Sequence, residues 1–316
     1  MRKIELLIKN SIYLPEKKVT IEELAKSGAI LKGNVNNLKK RGIYSIPVDN
    51  ENSGLDMLYK ALDPILYNSD LDLDKIKYII IPNSFHAYLF DQDIIKLIKD
   101  RYKLRNAIGF SIMDLSCSSY LMGFEMGHTF LKKSLKTDEF ILVVSIQKVT
   151  NPHLRYGGDA FVIGDSAVAS ILGKQPGSVG SQIMAVTNLM HTYTTKLTEE
   201  EDISGPVYWD YSNLINLSKV LKMTLDKANI QLEQIKLIIP NNTIVENWHY
   251  LAKLMKFSSN KFFLEGLENY GHMNNCDLIL NYELALKRDL LHSGDHFVLI
   301  SLGLGGTIGC AVLKKE

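Results

Sequence analysis

The feature that most restricts how this chain can fold is a segment that occurs twice. LDLDKIKYIIIPNS (71–84) returns as IQLEQIKLIIPNNT (230–243), each with an acidic-polar lead, an Ile-Lys step, a β-branched run and a Pro-Asn exit. The elements that follow keep one order in both places. A polar-faced helix is expected over 91–101 and again over 245–256, then a strand, then a turn opening a second helix. FILVVSIQ (140–147) then matches HFVLISLG (296–303). Strand-length apolar runs at 76–81, 108–115, 140–146 and 167–172 alternate with amphipathic stretches such as 118–133, the pattern of sheets buried between helices. The expected class is α/β, with two similar halves near 1–178 and 179–316. Generic α/β alternation without duplication is the competing reading.

At 316 residues and 46% apolar composition, the chain can bury a large core. Its 36 basic and 35 acidic residues nearly cancel and are spread along the sequence, which argues against a nucleic-acid partner. The opening MRKIELLIKN is charged again at Lys9 and soon meets Pro15 and Glu16-Lys17-Lys18, so no signal peptide is expected. No later run has the length or apolarity of a membrane span. Cys117, Cys276 and Cys310 are too few and too widely spaced for a disulfide framework or a zinc site. A cytoplasmic protein with free thiols and no metal is the expectation.

In both halves, the turn before the second helix carries reactive side chains: MDLSCSSYLMGFEMG in the first and NYGHMNNCDLILNYELAL in the second. If the halves pack about a pseudo-twofold axis, these turns and the Pro240 exit converge at strand carboxyl ends, where α/β sheets host ligands. Cys117 opens a helix. Unpaired N–H groups and the positive dipole end favour a thiolate there, making Cys117 a candidate nucleophile; a buried structural cysteine is the alternative. His272 stands in a turn of small and polar residues and is a candidate base, with Asp277 fixing its tautomer or simply capping the helix. Asn241 and Asn242 follow the 238–239 strand, as amide donors to an oxyanion or as turn formers. Gly303-Leu304-Gly305-Gly306-Thr307 has no P-loop Lys-Ser/Thr and no dinucleotide fingerprint, but its N–H groups suit the same oxyanion as the Cys117 N–H.

Taken together, the motif order resembles the thiolase-like superfamily, specifically the β-ketoacyl-acyl carrier protein synthase III (KAS III) group, over nearly the whole chain. The resemblance rests on Tyr13-Leu14-Pro15-Glu16, Gly42-Ile43, Cys117-Ser118-Ser119, Phe161-Val162-Ile163-Gly164-Asp165-Ser166-Ala167 and the closing 303–309 glycine loop. It implies a homodimer of five-layer α-β-α-β-α subunits, each made of two pseudo-symmetric halves. It also implies that Cys117 takes an acyl group from a coenzyme A or acyl carrier protein thioester, with Gly305 supplying the second oxyanion N–H. No bound cofactor is expected beyond the donor's phosphopantetheine arm. Phe90, Arg155 and Asn242 are candidate substrate contacts.

Where condensing members have Pro-His and Gly-Asn, this chain has Pro240-Asn241 and Gly271-His272, so His and Asn are exchanged. That exchange resembles a branch of KAS III-like acyltransferases that use Cys, His and Asp to form esters or amides on natural-product scaffolds. The stretch Lys32-Gly33-Asn34-Val35-Asn36-Asn37 lacks the aromatic that stacks on adenine in coenzyme A users, which favours a carrier-protein donor. Acyl transfer from Cys117 to a small alcohol or amine acceptor, with His272 as base, is the leading expectation. Decarboxylative Claisen condensation using Asn241 and His272 is the alternative, followed by a non-catalytic partner subunit.

Overall fold

The computed structural model describes residues 5–67, 71–84, 93–157, 161–174, 180–191 and 211–316. Nine strands form one continuous ladder: β1 (Leu6–Tyr13), β2 (Ile76–Pro82), β3 (Ile108–Ile112), β4 (Phe140–Gln147), β5 (Ser166–Gly173), β6 (Ser181–Met190), β7 (Ile235–Pro240), β8 (His296–Gly303) and β9 (Thr307–Lys315). Their order is β7-β8-β9-β6-β1-β5-β4-β2-β3.

This order contains the duplication. From the middle outward, β1 runs antiparallel to β5, β5 antiparallel to β4, and β4 parallel to β2, with β3 parallel at the edge. On the other side β6 runs antiparallel to β9, β9 antiparallel to β8, and β8 parallel to β7, with Phe262 bridging in parallel to Ile238. Among the described residues the two sets pair through Leu6 opposite Gln182 and Leu7 opposite Ser181, and Ile183 N donates to Glu5 O. The 178/179 boundary falls among residues 175–179, outside the described residues.

Strand alternation builds the layers, because successive side chains point to opposite faces. In β2, Ile79 and Ile81 pack outward against α1 (Gly54–Leu66) and α2 (Ile94–Tyr102). Ile80, between them, faces a central layer formed by α3 (Ser119–Lys133) and α6 (Asp277–Lys287). In β8, Phe297 and Leu299 face that same central layer. Val298, Ile300 and Leu302 turn the other way, toward α4 (Tyr211–Ala228) and α5 (Val245–Met255). The result is the expected five-layer α-β-α-β-α stack, with the central helix pair buried between two sheets.

Element ends differ where local chemistry intervenes. The strand expected over 108–115 stops at Ile112, because Asp114 (φ 69°) and Ser116 (φ 48°) adopt left-handed backbone that no strand tolerates. In the helix expected over 91–101, the described part begins at Ile94, where the Asp93 carboxylate accepts from Lys96 N at 2.9 Å and so caps the first turn. No helix among the described residues is long and apolar enough to cross a membrane.

Candidate active site

The two turns singled out in the sequence are structural copies of each other. In the first half, Leu115 (φ −105°) leads to left-handed Ser116, a 3₁₀ turn Ser116–Ser118, and then α3. In the second, Met273 (φ −120°) leads to left-handed Asn274 (φ 49°), a 3₁₀ turn Asn274–Cys276, and then α6. Short polar side chains tolerate this conformation best, which is why Ser and Asn stand at the matching positions. The turns face each other across the central layer. Asn275 Oδ1 accepts from Tyr120 N at 3.1 Å, capping the first turn of α3 from the opposite half.

Between the turns lies Cys117, 4% exposed. Its Sγ is 3.1 Å from His272 Nε2, and His272 Nδ1 is 2.5 Å from Asp277 Oδ2. The carboxylate is anchored on both oxygens: Asp277 Oδ1 accepts from Met273 N at 2.7 Å and Oδ2 from Asn242 N at 2.8 Å. With Asp277 accepting from Nδ1–H, the Nε2 lone pair faces the thiol. Burial opposes a charged ring, but Asp277 and the Cys117 sulfur beside it outweigh that effect and raise the His272 pKa well above the usual histidine range. This is the local electrostatics of an imidazolium paired with the Asp277 carboxylate.

The backbone around His272 explains how its ring is aimed. Gly271 ends the short helix Glu265–Tyr270 at φ 58°, ψ −147°, and a Cβ there would lie 2.6 Å from Val162 O. Only glycine fits. His272 N then donates to Val162 O and Gly164 N donates to His272 O, at 2.9 and 3.0 Å, while the Phe161 ring meets the imidazole edge-on at 5.0 Å. The Gly-Asp stretch noted in the sequence is therefore the bracket for the base.

The closing loop is tied to the nucleophile turn. Leu304 N donates to Ser116 Oγ at 3.3 Å and Thr307 Oγ1 to Leu115 O at 2.8 Å. Ser301 Oγ donates to Cys117 O at 2.7 Å. Gly303 sits so close that a Cβ would lie 3.0 Å from Cys117 N, whereas Gly305 is exposed, with φ 73°.

Other expected site residues have different positions. Asn241 is tied at both ends of its amide to β8, donating to Leu302 O at 3.0 Å and accepting from Leu302 N at 3.1 Å, so it is not aimed at the thiol. Asn242 serves as a scaffold: its N–H holds Asp277, its Nδ2 donates to Gly271 O and its Oδ1 accepts from Asn281 Nδ2. Arg155, expected as a substrate contact, is buried with its guanidinium on both oxygens of Asp165, at 2.9 and 2.8 Å. Asp165 also accepts from Asp49 N and Val149 N. The ion pair fixes the loop that carries Gly164, so Arg155 acts on the fold. Phe90 lies outside the described residues. Among the described residues no cluster of His, Cys, Asp and Glu is arranged to hold a metal ion.

Sequence reasoning missed Asn274 and Gln147. Asn274 Oδ1 is 3.2 Å from Cys117 Sγ, and its Nδ2 donates to Gln147 Oε1. The available signal was the Asn-Asn pair after Gly-His, a composition that marks left-handed backbone and so re-aims a side chain.

The C-terminal domain family of 3-oxoacyl-[acyl-carrier-protein (ACP)] synthase III matches residues 225–315. A β-ketoacyl-[acyl-carrier-protein] synthase III of Clostridium acetobutylicum is 23% identical over 335 residues, covering 99% of each chain. Over its whole length the chain is thus similar to KAS III proteins, and residues 225–315 match their C-terminal domain. Solved structures agree on the fold. The acyltransferase ChlB3 superposes with a TM-score of 0.85 at 17% identity, covering 99% of this chain and 98% of its own. The 3-oxoacyl-[acyl-carrier-protein] synthase III of Aquifex aeolicus gives 0.81 at 19%, covering 98% and 99%.

Proposed function

We propose that this KAS III-like protein is an acyltransferase that loads an acyl group on Cys117 and passes it to an alcohol or amine. The observation that carries the reading is the buried line from Cys117 Sγ through His272 to the doubly anchored Asp277. In the first half-reaction the Cys117 sulfur attacks the carbonyl carbon of a carrier-protein or coenzyme A thioester. The oxyanion is held by the Cys117 N–H and, by resemblance, that of Gly305. The donor thiol leaves with the proton from His272 Nε2. In the second half-reaction His272 Nε2 takes the acceptor's proton, the oxygen or nitrogen attacks the thioester, and the Cys117 sulfur departs. A role in natural-product assembly and a homodimeric state belong to the same proposal.

Condensation is disfavoured by the amide that would have to assist it. Decarboxylating a malonyl thioester calls for two donors on one carbonyl oxygen, and Asn241 is held by Leu302 on both sides. Intact-protein mass spectrometry after incubation with acyl thioesters tests the proposal. A mass increase on the wild type that is absent in Cys117→Ala, and is discharged by an alcohol or amine, is the expected result. Release of carbon dioxide with a β-keto product, or acceptor acylation undiminished in Cys117→Ala, would overturn it.

A further inference from the structure

The triad leaves two contacts of the sulfur unexplained, and the shorter is to Asn274. Asn274 Oδ1 faces Cys117 Sγ at 3.2 Å while Asn274 Nδ2 donates to Gln147 Oε1, and both side chains are buried. A thiol has one proton, so S–H points at one of His272 Nε2, Asn274 Oδ1 and the more distant Ser116 Oγ. Once that proton is on His272, an amide oxygen so close to anionic sulfur places two electron-rich atoms together with no hydrogen between them. An amide turned about its last torsion exchanges oxygen and nitrogen at nearly constant shape. Turning Asn274 directs Nδ2–H at the sulfur and Oδ1 at Gln147. Gln147, turned likewise, answers with Nε2–H.

We propose that Asn274 and Gln147 turn together and follow the charge on Cys117. Asn274 is a catalytic residue that accepts from the thiol and donates to the thiolate, and Gln147 is a positioning residue that sets which end faces the sulfur. The use of such a pair rests on the acyl-transfer reading, in which the sulfur is anionic twice: as nucleophile during loading and as leaving group during discharge. Counted from the thiol in loading and from the acyl-enzyme in discharge, a hydrogen bond to the anion lowers both barriers. The duplicated turn supports this placement. Ser116, the counterpart of Asn274, also approaches the sulfur, with Oγ at 3.5 Å, so both copies direct a polar side chain at one atom. The titratable side chain facing the sulfur is His272, from the turn before α6, with Asp277 behind it on α6.

The test is the rate at which iodoacetamide alkylates Cys117 in the full chain at pH 7, followed by peptide mass mapping with no acyl donor present. Asn274→Gly keeps the left-handed backbone without strain and removes the amide. Its alkylation is expected to slow about tenfold, the scale of one hydrogen bond to a charged group. An unchanged or faster rate, at an unchanged melting temperature, overturns the proposal, since it would mean that the amide only ever presents its oxygen. Gln147→Glu is read at pH 9, where even a buried carboxyl is largely ionised and can only accept, so it pins Asn274 Nδ2 and leaves Oδ1 on the sulfur. It is expected to slow alkylation comparably with Asn274 in place, and to have no further effect in the Asn274→Gly background. Equal slowing in both backgrounds would show a through-space charge effect and overturn the coupling. Because alkylation needs neither acyl donor nor acceptor, its outcome is independent of whether acyl transfer is observed.

Discussion

At the residue scale, the imidazole of His272 is held by one carboxylate whose two oxygens also organise backbone. Replacing Asp277 by Asn keeps the shape but turns an acceptor toward a donor, so the ring loses the tautomer that aims its Nε2 lone pair at sulfur. We expect Asp277→Asn to lower acyl transfer roughly 10²- to 10⁴-fold, by the logic of triads in general, with a smaller effect on stability. Single-turnover discharge kinetics beside a thermal melt separate the two effects. The charge on His272 also links stability to pH. Its folded pKa is raised above the unfolded value, chiefly by Asp277 and Cys117 acting against burial. The resulting stability is therefore fully present below about pH 6.5, the unfolded pKa of histidine, and is lost as pH rises through the folded value. The melting-temperature advantage of wild type over His272→Gln is expected to shrink steadily between pH 7 and 9. A gap that widens over that range would contradict the ion-pair description.

At the element scale, loops rather than regular structure aim the chemistry. The Arg155–Asp165 pair is fully desolvated and holds the segment from which Gly164 N reaches His272 O. Removing Arg155 leaves the buried Asp165 with Lys148 Nζ, 3.9 Å away, as its remaining cation, so Arg155→Met is expected to cost about 3 kcal/mol in denaturant unfolding. Asp165→Asn combined with it should recover part of that loss, because the under-compensated charge is gone. These loops mark the limit of what the sequence disclosed. Periodicity located β2, β4, β5 and α3 within one or two residues, since their burial is one-sided or complete. Cys117, His272 and Asp277 were legible because residue type and a helix-opening turn suffice to suggest them. Arg155 was not, because its partner lies ten residues away across a turn. Asn241 was misread because a strand exit in sequence does not say whether an amide faces the cleft or the neighbouring strand. Asn274 was hidden by its ordinary role as a turn residue.

At the scale of the whole molecule, the described strands of the duplicated halves pair through two residue pairs of the sheet, yet the halves share one core. Leu121 and Phe124 of α3 and Leu278 and Ile279 of α6 pack among Ile80, Ile141 and Val143 from one half and Leu237, Phe297 and Leu299 from the other. Neither sheet can bury its inner face without both central helices, so the halves should unfold as one unit despite their separate strand orders. Leu278→Ala, at a site 1% exposed, is expected to cost about 2–5 kcal/mol. Its consequence for cooperativity is the sharper test. Native-state hydrogen exchange should show amides of β4 and β8 losing protection by the same amount, although α6 belongs to the second half. Loss confined to β7–β9 with β2–β5 unaffected would mean that the halves are stable independently. The site could then open without global unfolding, because Cys117 stands on one half and His272 on the other.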